Sequence, residues 1–374
     1  MTARVAHLTS AHPRHDVRIW AKECRTLAAA GHEVTLVVAD DLGEELRGGV
    51  RILGVGSSGS RWGRMCGASR RVVRAALETN PDIVHLHDPE LLPAVGLLRR
   101  ERRRVVYDAH EDLPGQILSK PYLWRAARRP IATAARVFLA YACRQVDAVV
   151  AARPDIGVRL ARVNPATVVV NNYPLADELF AEPCVDMSGR PPVVTYVGGM
   201  SAIRGIPELV DAMALVREDV RLQLVGGFTD RQLGAQLRTR PGWGRVKERG
   251  WLDRAGVRAA LAGSIAGVVT FKPAPNHLEA QPTKLFEYMS AGIPVIASGF
   301  PAWRQVVEEL GCGVCVEPGD PAGIARAIDW LARNPGQRRQ MGANGRRAIQ
   351  ARYNWASEEA TLTGLYDRLA RGMT

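Results

Sequence analysis

The segment that decides the fold is Glu279-Ala-Gln-Pro-Thr-Lys-Leu-Phe-Glu-Tyr-Met-Ser-Ala-Gly-Ile-Pro-Val-Ile-Ala-Ser298. Pro282 suits the first turn of a helix, where its missing N–H costs nothing, and Gly292 is a natural C-terminal stop. The apolar run from Pro294 to Ser298 then predicts a short parallel strand. The segment is therefore interpreted as a loop, a helix and a buried strand.

Two glutamates frame the start of this helix. The free N–H groups of Thr283 and Lys284 would bind an anion there, with Glu279 just before them and Glu287 one to two turns into the helix. A nucleotide-sugar matches this arrangement, because its phosphates suit the N–H groups and its hydroxyl-bearing rings suit the carboxylates.

Length and composition limit the class of protein. The chain has 374 residues, of which 47% are apolar and 24% charged, so we expect two globular domains without long disorder. Its net charge of +12 fits a phosphorylated substrate, an anionic membrane face or nucleic acid, unless it reflects an arginine-rich genome.

The six cysteines are expected to be reduced, and the Cys312-x-x-Cys315 pair is expected to be structural. Because Arg4–Thr9 already predicts a strand and no apolar run could span a bilayer, we expect a cytoplasmic protein.

Strands and helices alternate twice along the chain. Residues 1–181 and 193–354 each predict an open α/β domain with a parallel sheet. Residues 182–192 are polar and contain three prolines, which predicts a linker, and residues 355–374 predict a last helix. Ligands bind at the carboxyl ends of such strands, so a cleft between the two domains is expected.

Polar residues and glycines fall at those strand ends. They are His87, Asp88, Asp108 and His110 in the first half, and Gly198, Gly199, Gly226, Gly227 and Lys272 in the second. His15, Asp16 and Arg18 follow the first strand and are expected to contact an acceptor or a phosphate, with a capping role as the alternative for Asp16. His85 is expected to be packed under a helix.

Several short motifs occur in a distinctive order. They are the E-x7-E pair Glu279 and Glu287, His15–Ile19 with Lys22-Glu23, Val106–Glu111, Asn172–Pro174, Tyr196–Gly205 and Gly311–Asp320. In these motifs the chain resembles a retaining glycosyltransferase of family 4 over nearly its whole length. The resemblance implies a GT-B fold, in which two Rossmann-like domains face a cleft and the C-terminal helix returns to the N-terminal domain.

The resemblance also implies roles for individual residues. Glu279 would bind the transferred sugar, Arg204 the diphosphate and His110 the donor sugar, and these three are the predicted catalytic residues. The predicted donor-binding residues are Glu287 for the ribose, Thr283, Lys284, Lys272, Gly198, Gly199 and Gly227. The predicted acceptor-side residues are His15, Asp16, Arg18, His87 and Asp88. No metal and no cofactor are expected, and a UDP-sugar is favoured over a GDP-sugar, with base recognition through backbone near 247–252.

One position departs from the family pattern. Many members have arginine where this chain has Gly199, and that arginine would be a second diphosphate ligand. Its role would pass to Lys272 or Lys284, or be left unfilled.

A basic stretch points to a membrane surface. Arg125, Arg128, Arg129 and Arg136 would share one face of an unbroken helix with apolar neighbours, although Pro130 is expected to bend or split it. Contact with the inner face of the cell membrane is therefore expected, with a plain solvated face as the alternative. Five arginines between Arg99 and Arg104 add to this charge.

The predicted function is transfer of a sugar from a nucleoside-diphosphate sugar to a hydroxyl acceptor, with retention of configuration. The acceptor would be lipid-linked, or part of a cell-envelope polysaccharide or a glycosylated natural product. The alternatives are a nucleotide-sugar epimerase of similar fold and a basic nucleic-acid-binding protein, although no nucleic-acid reader motif is present.

Overall fold

The computed structural model describes residues 2–58, 63–119, 123–180, 192–278 and 282–372. They form two compact units, of which the first comprises 1–172 with 357–374 and the second comprises 173–356. The second unit thus begins earlier than the predicted domain at 193. The reason is aromatic packing, because the Tyr173 ring lies edge-on to Phe286 at 4.9 Å and to Tyr353 at 5.4 Å. The predicted linker lies outside the described residues except for Pro192.

The first unit is built on an eight-stranded sheet. Its strands are β1 Arg4–Thr9, β2 Glu33–Val38, β3 Glu44–Arg47, β4 Val50–Gly54, β5 Ile83–Leu86, β6 Arg104–Ala109, β7 Ala148–Ala151 and β8 Thr167–Val169. The order is β3-β4-β2-β1-β5-β6-β7-β8, and only β3 runs antiparallel to its neighbour. The parallel sheet confirms the α/β prediction, whereas the β3–β4 hairpin was not predicted.

Helices connect these strands. They are α1 Arg25–Ala29, α2 Ser69–Glu78, α3 Val95–Arg100, α4 Leu113–Ser119, α5 Arg125–Cys143, α6 Pro154–Ala161 and, from the end of the chain, α15 Ala356–Arg371. A π-helix at Ile19–Cys24 leads into α1, a second π-helix at Gly63–Ala68 into α2, and a 3₁₀ helix at Pro89–Ala94 into α3. The helix is not split at Pro130, since α5 continues through it, whereas a bend there stays a prediction. Pro130 is the sixth residue of α5. The N–H groups of the first turn have no partner within the helix, so the missing N–H of Pro130 removes only one intrahelical hydrogen bond.

The second unit has a six-stranded parallel sheet in the order β11-β10-β9-β12-β13-β14. Its strands are β9 Val193–Val197, β10 Arg221–Val225, β11 Val246–Gly250, β12 Ser264–Val269, β13 Val295–Ser298 and β14 Gly313–Val316. Its helices are α7 Ile206–Leu215, α8 Arg231–Arg238, α9 Arg254–Ala262, α10 Pro275–Leu278, α11 Thr283–Ser290, α12 Pro301–Glu309, α13 Pro321–Arg333 and α14 Pro335–Ala351. Short 3₁₀ helices lie at Ala202–Arg204 and Pro241–Arg245. The helix and strand predicted from the opening segment correspond to α11 and β13.

Close packing fixes α11 on the sheet. Tyr288 is fully buried, and its ring atoms lie only 2.2 to 2.5 Å from where a β-carbon on Gly267 would stand. The Tyr288 hydroxyl also accepts a hydrogen bond from the Val197 N–H (3.1 Å) at the end of β9. The start of α11 is therefore held at the carboxyl ends of the strands, where the site is expected.

The cysteines described in full are free. Cys24, Cys143 and Cys312 are buried and Cys315 is partly exposed. Burial raises the pKa of the Cys315 thiol to about 12, so this thiol is a poor nucleophile at neutral pH. The reduced, structural interpretation of the Cys312–Cys315 pair agrees with these thiols.

Candidate active site

Two glycine turns lie at the carboxyl ends of β9 and β10. The Gly198 N–H donates to the Val225 carbonyl (2.7 Å), and the Met200 N–H donates to the Gly227 carbonyl (2.8 Å). Gly198 and Gly226 have φ of +118° and +128°, and a β-carbon on Gly226 would stand 2.2 Å from the Gly198 oxygen. Only glycine fits this close approach of two backbones. The turns form a fixed surface without side chains.

Lys284, in the first turn of α11, lies against this surface. A β-carbon on Gly198 would stand 2.8 Å from Lys284 Cε and 2.9 Å from Nζ. Within the described residues no carboxylate lies within ion-pair distance of Nζ. Burial, followed by the charge of Arg204, lowers the pKa of Lys284 to about 8, although Glu287 acts in the opposite direction. Lys284 is thus a half-buried cation with an unfilled requirement for a negative charge.

Arg204 is a second cation beside these turns. Its Nη1 donates to the Gly199 carbonyl (2.8 Å), which also accepts from the Tyr196 hydroxyl (2.8 Å). No acidic side chain in the described part of the chain pairs with it. A β-carbon on Gly199 would stand 2.9 Å from Arg204 Nη1. Glycine at 199 therefore leaves the space that the Arg204 guanidinium fills. The position that lacks the arginine of the family pattern is thus the one against which Arg204 lies.

Lys272 has a different environment. Its Nζ forms an ion pair with Glu208 Oε1 at 2.6 Å. Lys272 thus has a carboxylate partner, which Lys284 lacks among the described residues.

Glu287 is positioned by an arginine that the sequence reasoning missed. Arg254, the first residue of α9, donates from Nη1 to Glu287 Oε1 (2.8 Å) and from Nε and Nη2 to the two oxygens of Glu178 (2.8 and 2.7 Å). Arg254 and Glu287 are 33 residues apart, and no local pattern connects them. The Glu287 carboxylate is therefore held in one orientation, with Oε2 free of hydrogen bonds from the described residues.

Two predicted groups complete this region. Thr283 is exposed at the start of α11, where no side-chain cap is found among the described residues, and anion binding by its N–H stays a prediction. The predicted base-binding stretch 247–252 includes Trp251, which is 73% exposed and whose Nε1 lies 2.8 Å from where a β-carbon on Gly227 would stand. Glu279, the first glutamate of the predicted pair, lies outside the described residues.

In the first unit, Arg18 is not a surface residue. It is 3% exposed, and its Nε and Nη2 donate to the two oxygens of Asp108 at 2.9 Å each, while Nη1 donates to the Val170 carbonyl (2.9 Å). The expectation of acceptor or phosphate contact by Arg18 is corrected accordingly, because all three nitrogens are used inside the unit.

Asp108 links Arg18 to His110. Asp108 Oδ2 lies 2.8 Å from His110 Nε2 and 3.4 Å from His87 Nδ1. Burial would raise the pKa of Asp108, yet Arg18 and His110 hold it well below its usual range. His110 keeps 16% of its side chain exposed, whereas His87 is 2% exposed. The predicted direct acceptor contact of His87 is therefore corrected to a buried position behind His110, where burial lowers its pKa to about 4.

Asp88 is also buried, and its carboxylate holds the loop after β1 in place. Its Oδ2 accepts from Thr9 Oγ1 (2.9 Å) and from the Ser10 N–H (2.6 Å), and its Oδ1 pairs with His12 Nδ1 at 3.0 Å. Burial opposes ionisation, but His12 and these hydrogen bonds lower the pKa of Asp88 to about 2.

His12 is an accessible partner of Asp88 that was not predicted from the sequence. Its ring lies 5.2 Å from that of His110. It stands only three residues after β1, in Ser-Ala-His-Pro.

The remaining two acceptor-side residues differ in role. Asp16 Oδ1 accepts from the N–H groups of Arg18 (2.8 Å) and Ile19 (3.0 Å), so the alternative of a capping role is the one observed. His15 is partly exposed and its Nε2 lies 3.2 Å from Glu45 Oε2.

One face of α5 exposes large apolar side chains beside arginines. Val137 is 64% exposed and Tyr141 63%, and Trp124 just before the helix is 79% exposed. Arg129 and Arg136 are exposed on the adjoining face. In the described part of the chain, no helix has the length and hydropathy needed to cross a bilayer.

A groove of about 610 Å³ lies between α2 and the start of α3. Its walls include Val73, Leu77 and Leu91, with Arg70, Arg74 and Glu90 among the lining residues. The groove is therefore mainly apolar, and two of its three charged lining residues are basic.

Comparisons with known proteins agree with this architecture. Residues 17–172 match the family model described as Glycosyltransferase Family 4, and residues 191–334 match the one described as Glycosyl transferases group 1. Among curated proteins, a phosphatidyl-myo-inositol mannosyltransferase of Mycobacterium leprae is 34% identical over 175 residues, which is 45% of this chain and 44% of that protein. The chain thus spans less than half the length of this relative.

Solved structures match the whole chain. A sucrose-phosphate synthase from Thermosynechococcus elongatus aligns with a TM-score of 0.79 at 22% identity, covering 98% of this chain and 99% of the other. Anabaena Alr3699/HepE in complex with UDP-glucose aligns with a TM-score of 0.73 at 17% identity, covering 98% and 100%. At these identities the likeness establishes the fold, which is GT-B.

Proposed function

Since this chain belongs to the GT-B glycosyltransferases, we propose that it transfers a sugar from a nucleoside-diphosphate sugar to a hydroxyl acceptor, with retention at the anomeric carbon. The observation that carries this proposal is the pair of cations Lys284 and Arg204, neither of which has a carboxylate partner among the described residues, beside the glycine turns and the start of α11. Two such cations next to a helix N-terminus suit a diphosphate.

The donor would be bound in three parts. The diphosphate contacts Lys284, Arg204 and the N–H groups of Thr283 and Lys284, and the ribose hydroxyls donate to Glu287. A UDP-sugar is proposed because a structural neighbour binds UDP-glucose. Trp251, exposed beside Gly227, offers an indole face on which the base can stack.

Catalysis would rest on electrostatics without a metal. Positive charge from Lys284, Arg204 and the α11 dipole stabilises the departing diphosphate. Its oxygen takes the proton of the acceptor hydroxyl as that hydroxyl attacks from the same face, which gives retention. His110, oriented by Asp108, and Glu279 are proposed to bind the transferred sugar.

The acceptor would carry an apolar part, and the enzyme would contact a membrane. Support comes from the exposed apolar side chains of α5 beside Arg129 and Arg136, and from the apolar groove bordered by Arg70 and Arg74. Together they suit a lipid-linked acceptor at an anionic surface.

The test begins with the donor. Thermal shifts of the full chain with UDP-, GDP- and dTDP-sugars identify the ligand, because binding stabilises the native state. Product formation with acceptors is then followed by NMR, whose anomeric coupling reports configuration. We expect Arg204→Ala to lose transfer and the exposed Arg326→Ala, in the same unit, to retain it. Conversion of the donor without an acceptor would instead show an epimerase, and DNA binding without nucleotide-sugar binding would overturn the enzyme assignment.

A further inference from the structure

Four buried side chains of the first unit gather their donor atoms around one point. They are His7 of β1, Glu23 of the π-helix, and His85 and His87 of the β5 region, and one donor atom from each lies within 4.8 Å of the other three. All four residues are at most 2% exposed. Such a grouping of imidazoles and a carboxylate in the interior requires an explanation beyond packing.

Several of these polar atoms have no hydrogen bond within the described residues. They are His7 Nε2, His85 Nε2 and both oxygens of Glu23. Arg18 Nε lies 3.0 Å from Glu23 Oε1, but its single hydrogen points to Asp108 Oδ2 at 2.9 Å. Native interiors rarely leave buried polar atoms unsatisfied together, because each costs free energy.

The charges in this interior do not balance. Glu23 and Asp108 are two buried carboxylates, and Arg18 is the one cation among the described residues that contacts both. With the three imidazoles neutral, as is usual for buried histidines, one negative charge would be in excess if both carboxylates were ionised. A buried charge without a counter-charge is strongly unfavourable, so either a cation or a proton must complete the cluster.

The ligand chemistry and spacing favour a metal cation. Three imidazoles with one carboxylate suit Zn²⁺, whose bonds of about 2.0–2.2 Å place tetrahedral ligand atoms roughly 3.3–3.5 Å apart. His7 Nδ1 and His87 Nε2 lie 2.8 Å apart, within hydrogen-bond distance of each other, and His87 Nε2 and Glu23 Oε2 lie 4.0 Å apart. These separations fall on either side of the ideal value. The Tyr366 hydroxyl, 2.7 Å from His85 Nδ1, is the kind of outer contact that orients a metal-binding imidazole.

We propose that His7, Glu23, His85 and His87 bind a structural Zn²⁺ ion inside the first unit. The ion would join β1, β5 and the helix that follows β1. Because the ligands are buried, it takes no part in sugar transfer, and the proposal stands independently of the proposed function. The neighbouring group His87, Asp108 and His110 is less suited, since Arg18 and His110 already bond both Asp108 oxygens.

The decisive measurement is the zinc content of the full chain. We expect about one zinc per chain by elemental mass spectrometry after dialysis against weak chelator. Strong chelator should lower Tm, and added Zn²⁺ should restore it by roughly 5–10 °C at a hundredfold excess over Kd. His85→Gln should reduce zinc content severalfold, whereas His32→Gln, a buried histidine outside the cluster, should retain it.

A proton in place of the metal gives the opposite pattern. In that case the wild-type chain holds less than about a tenth of a zinc, its Tm ignores Zn²⁺, and Glu23→Gln is at least as stable as wild type. Any of these results overturns the proposal, and the first two need no variant to fold.

Discussion

The Arg254 guanidinium donates a 2.8 Å hydrogen bond to Glu287 and holds Glu178 with its other two nitrogens. Arg254 is therefore the residue that orients the carboxylate proposed to bind the ribose. Without Arg254, the Glu287 side chain would rotate among rotamers, because a carboxylate on a helix with no partner is not held in one position.

We expect Arg254→Ala to weaken donor binding through Glu287. Loss of a charge-assisted hydrogen bond should raise the donor KM roughly 10- to 100-fold, with a smaller change in kcat. Initial rates at saturating acceptor measure this split. Arg258→Ala, an exposed arginine on the same helix, is the matched control. Equal effects of the two variants would remove the positioning role of Arg254.

We expect Lys284→Met to bind no donor and yet to be more stable than wild type. The folded-state pKa of about 8 lies below the ordinary 10.5 because burial opposes the charge. The native state therefore carries a penalty that is full below pH 8 and disappears as pH rises toward 10.5. Partial exposure screens it, so the gain at pH 7 should be roughly 1–2 kcal/mol. Denaturant titrations at pH 7 and pH 10 should show this gain shrinking; a less stable variant at pH 7 would contradict it.

We expect the pH profile of donor use to follow Lys284. Deprotonation with a pKa of about 8 removes the charge proposed to hold the diphosphate, so kcat/KM for the donor should decline above pH 8. Lys284→Arg keeps its charge at all these pH values and should lose that decline even if its overall rate is lower. An unchanged alkaline decline in Lys284→Arg would assign it to another group.

We expect Asp108→Asn and His110→Gln to differ in stability while both reduce transfer. Removing the Asp108 charge leaves Arg18 buried without its principal partner, which should cost about 3–5 kcal/mol and lower Tm by roughly 10 °C. His110 is partly exposed, so its replacement should change Tm little. Thermal unfolding and transfer assays on the same preparations compare them. Equal Tm values would show that the Arg18–Asp108 pair is not needed for the fold.

We expect an acidic residue on the exposed face of α5 to reduce membrane binding. Val137→Asp should weaken sedimentation with vesicles rich in anionic lipid roughly tenfold, since both apolar contact and net positive charge are lost. Val158→Asp on α6 is the control, because Val158 is 62% exposed and Val137 is 64% exposed. Indistinguishable binding of the two variants would remove α5 from the contact surface.

Residues that start or end helices, together with apolar runs, made much of the fold predictable. Pro282 and Gly292 lie at the two ends of α11, and short apolar runs located β1 and β13. By contrast, no helix was predicted at α6, which contains Gly157. That glycine is required by packing, since a β-carbon there would stand 2.4 Å from Val169 Cγ2.

The candidate site was predictable only for residues that follow the carboxyl end of a strand. Its position after β5 suggested that His87 faces the cleft, but the burial of a side chain depends on what packs above the strand, and the sequence does not show that. Arg254 and His12 act through partners distant along the chain, so no local spacing could reveal them. Gly199 was interpreted as a loss, whereas its lack of a side chain accommodates Arg204.

The hydrogen bond between His85 and Tyr366 spans 281 residues, and this separation sets a delay during synthesis. At about 5–20 residues per second, roughly 15–55 s pass between the appearance of the two side chains on the ribosome. All of 173–356, the whole second unit, is made in that interval. The second unit can therefore be complete in the nascent chain while the first still waits for its last helix to cover its histidines.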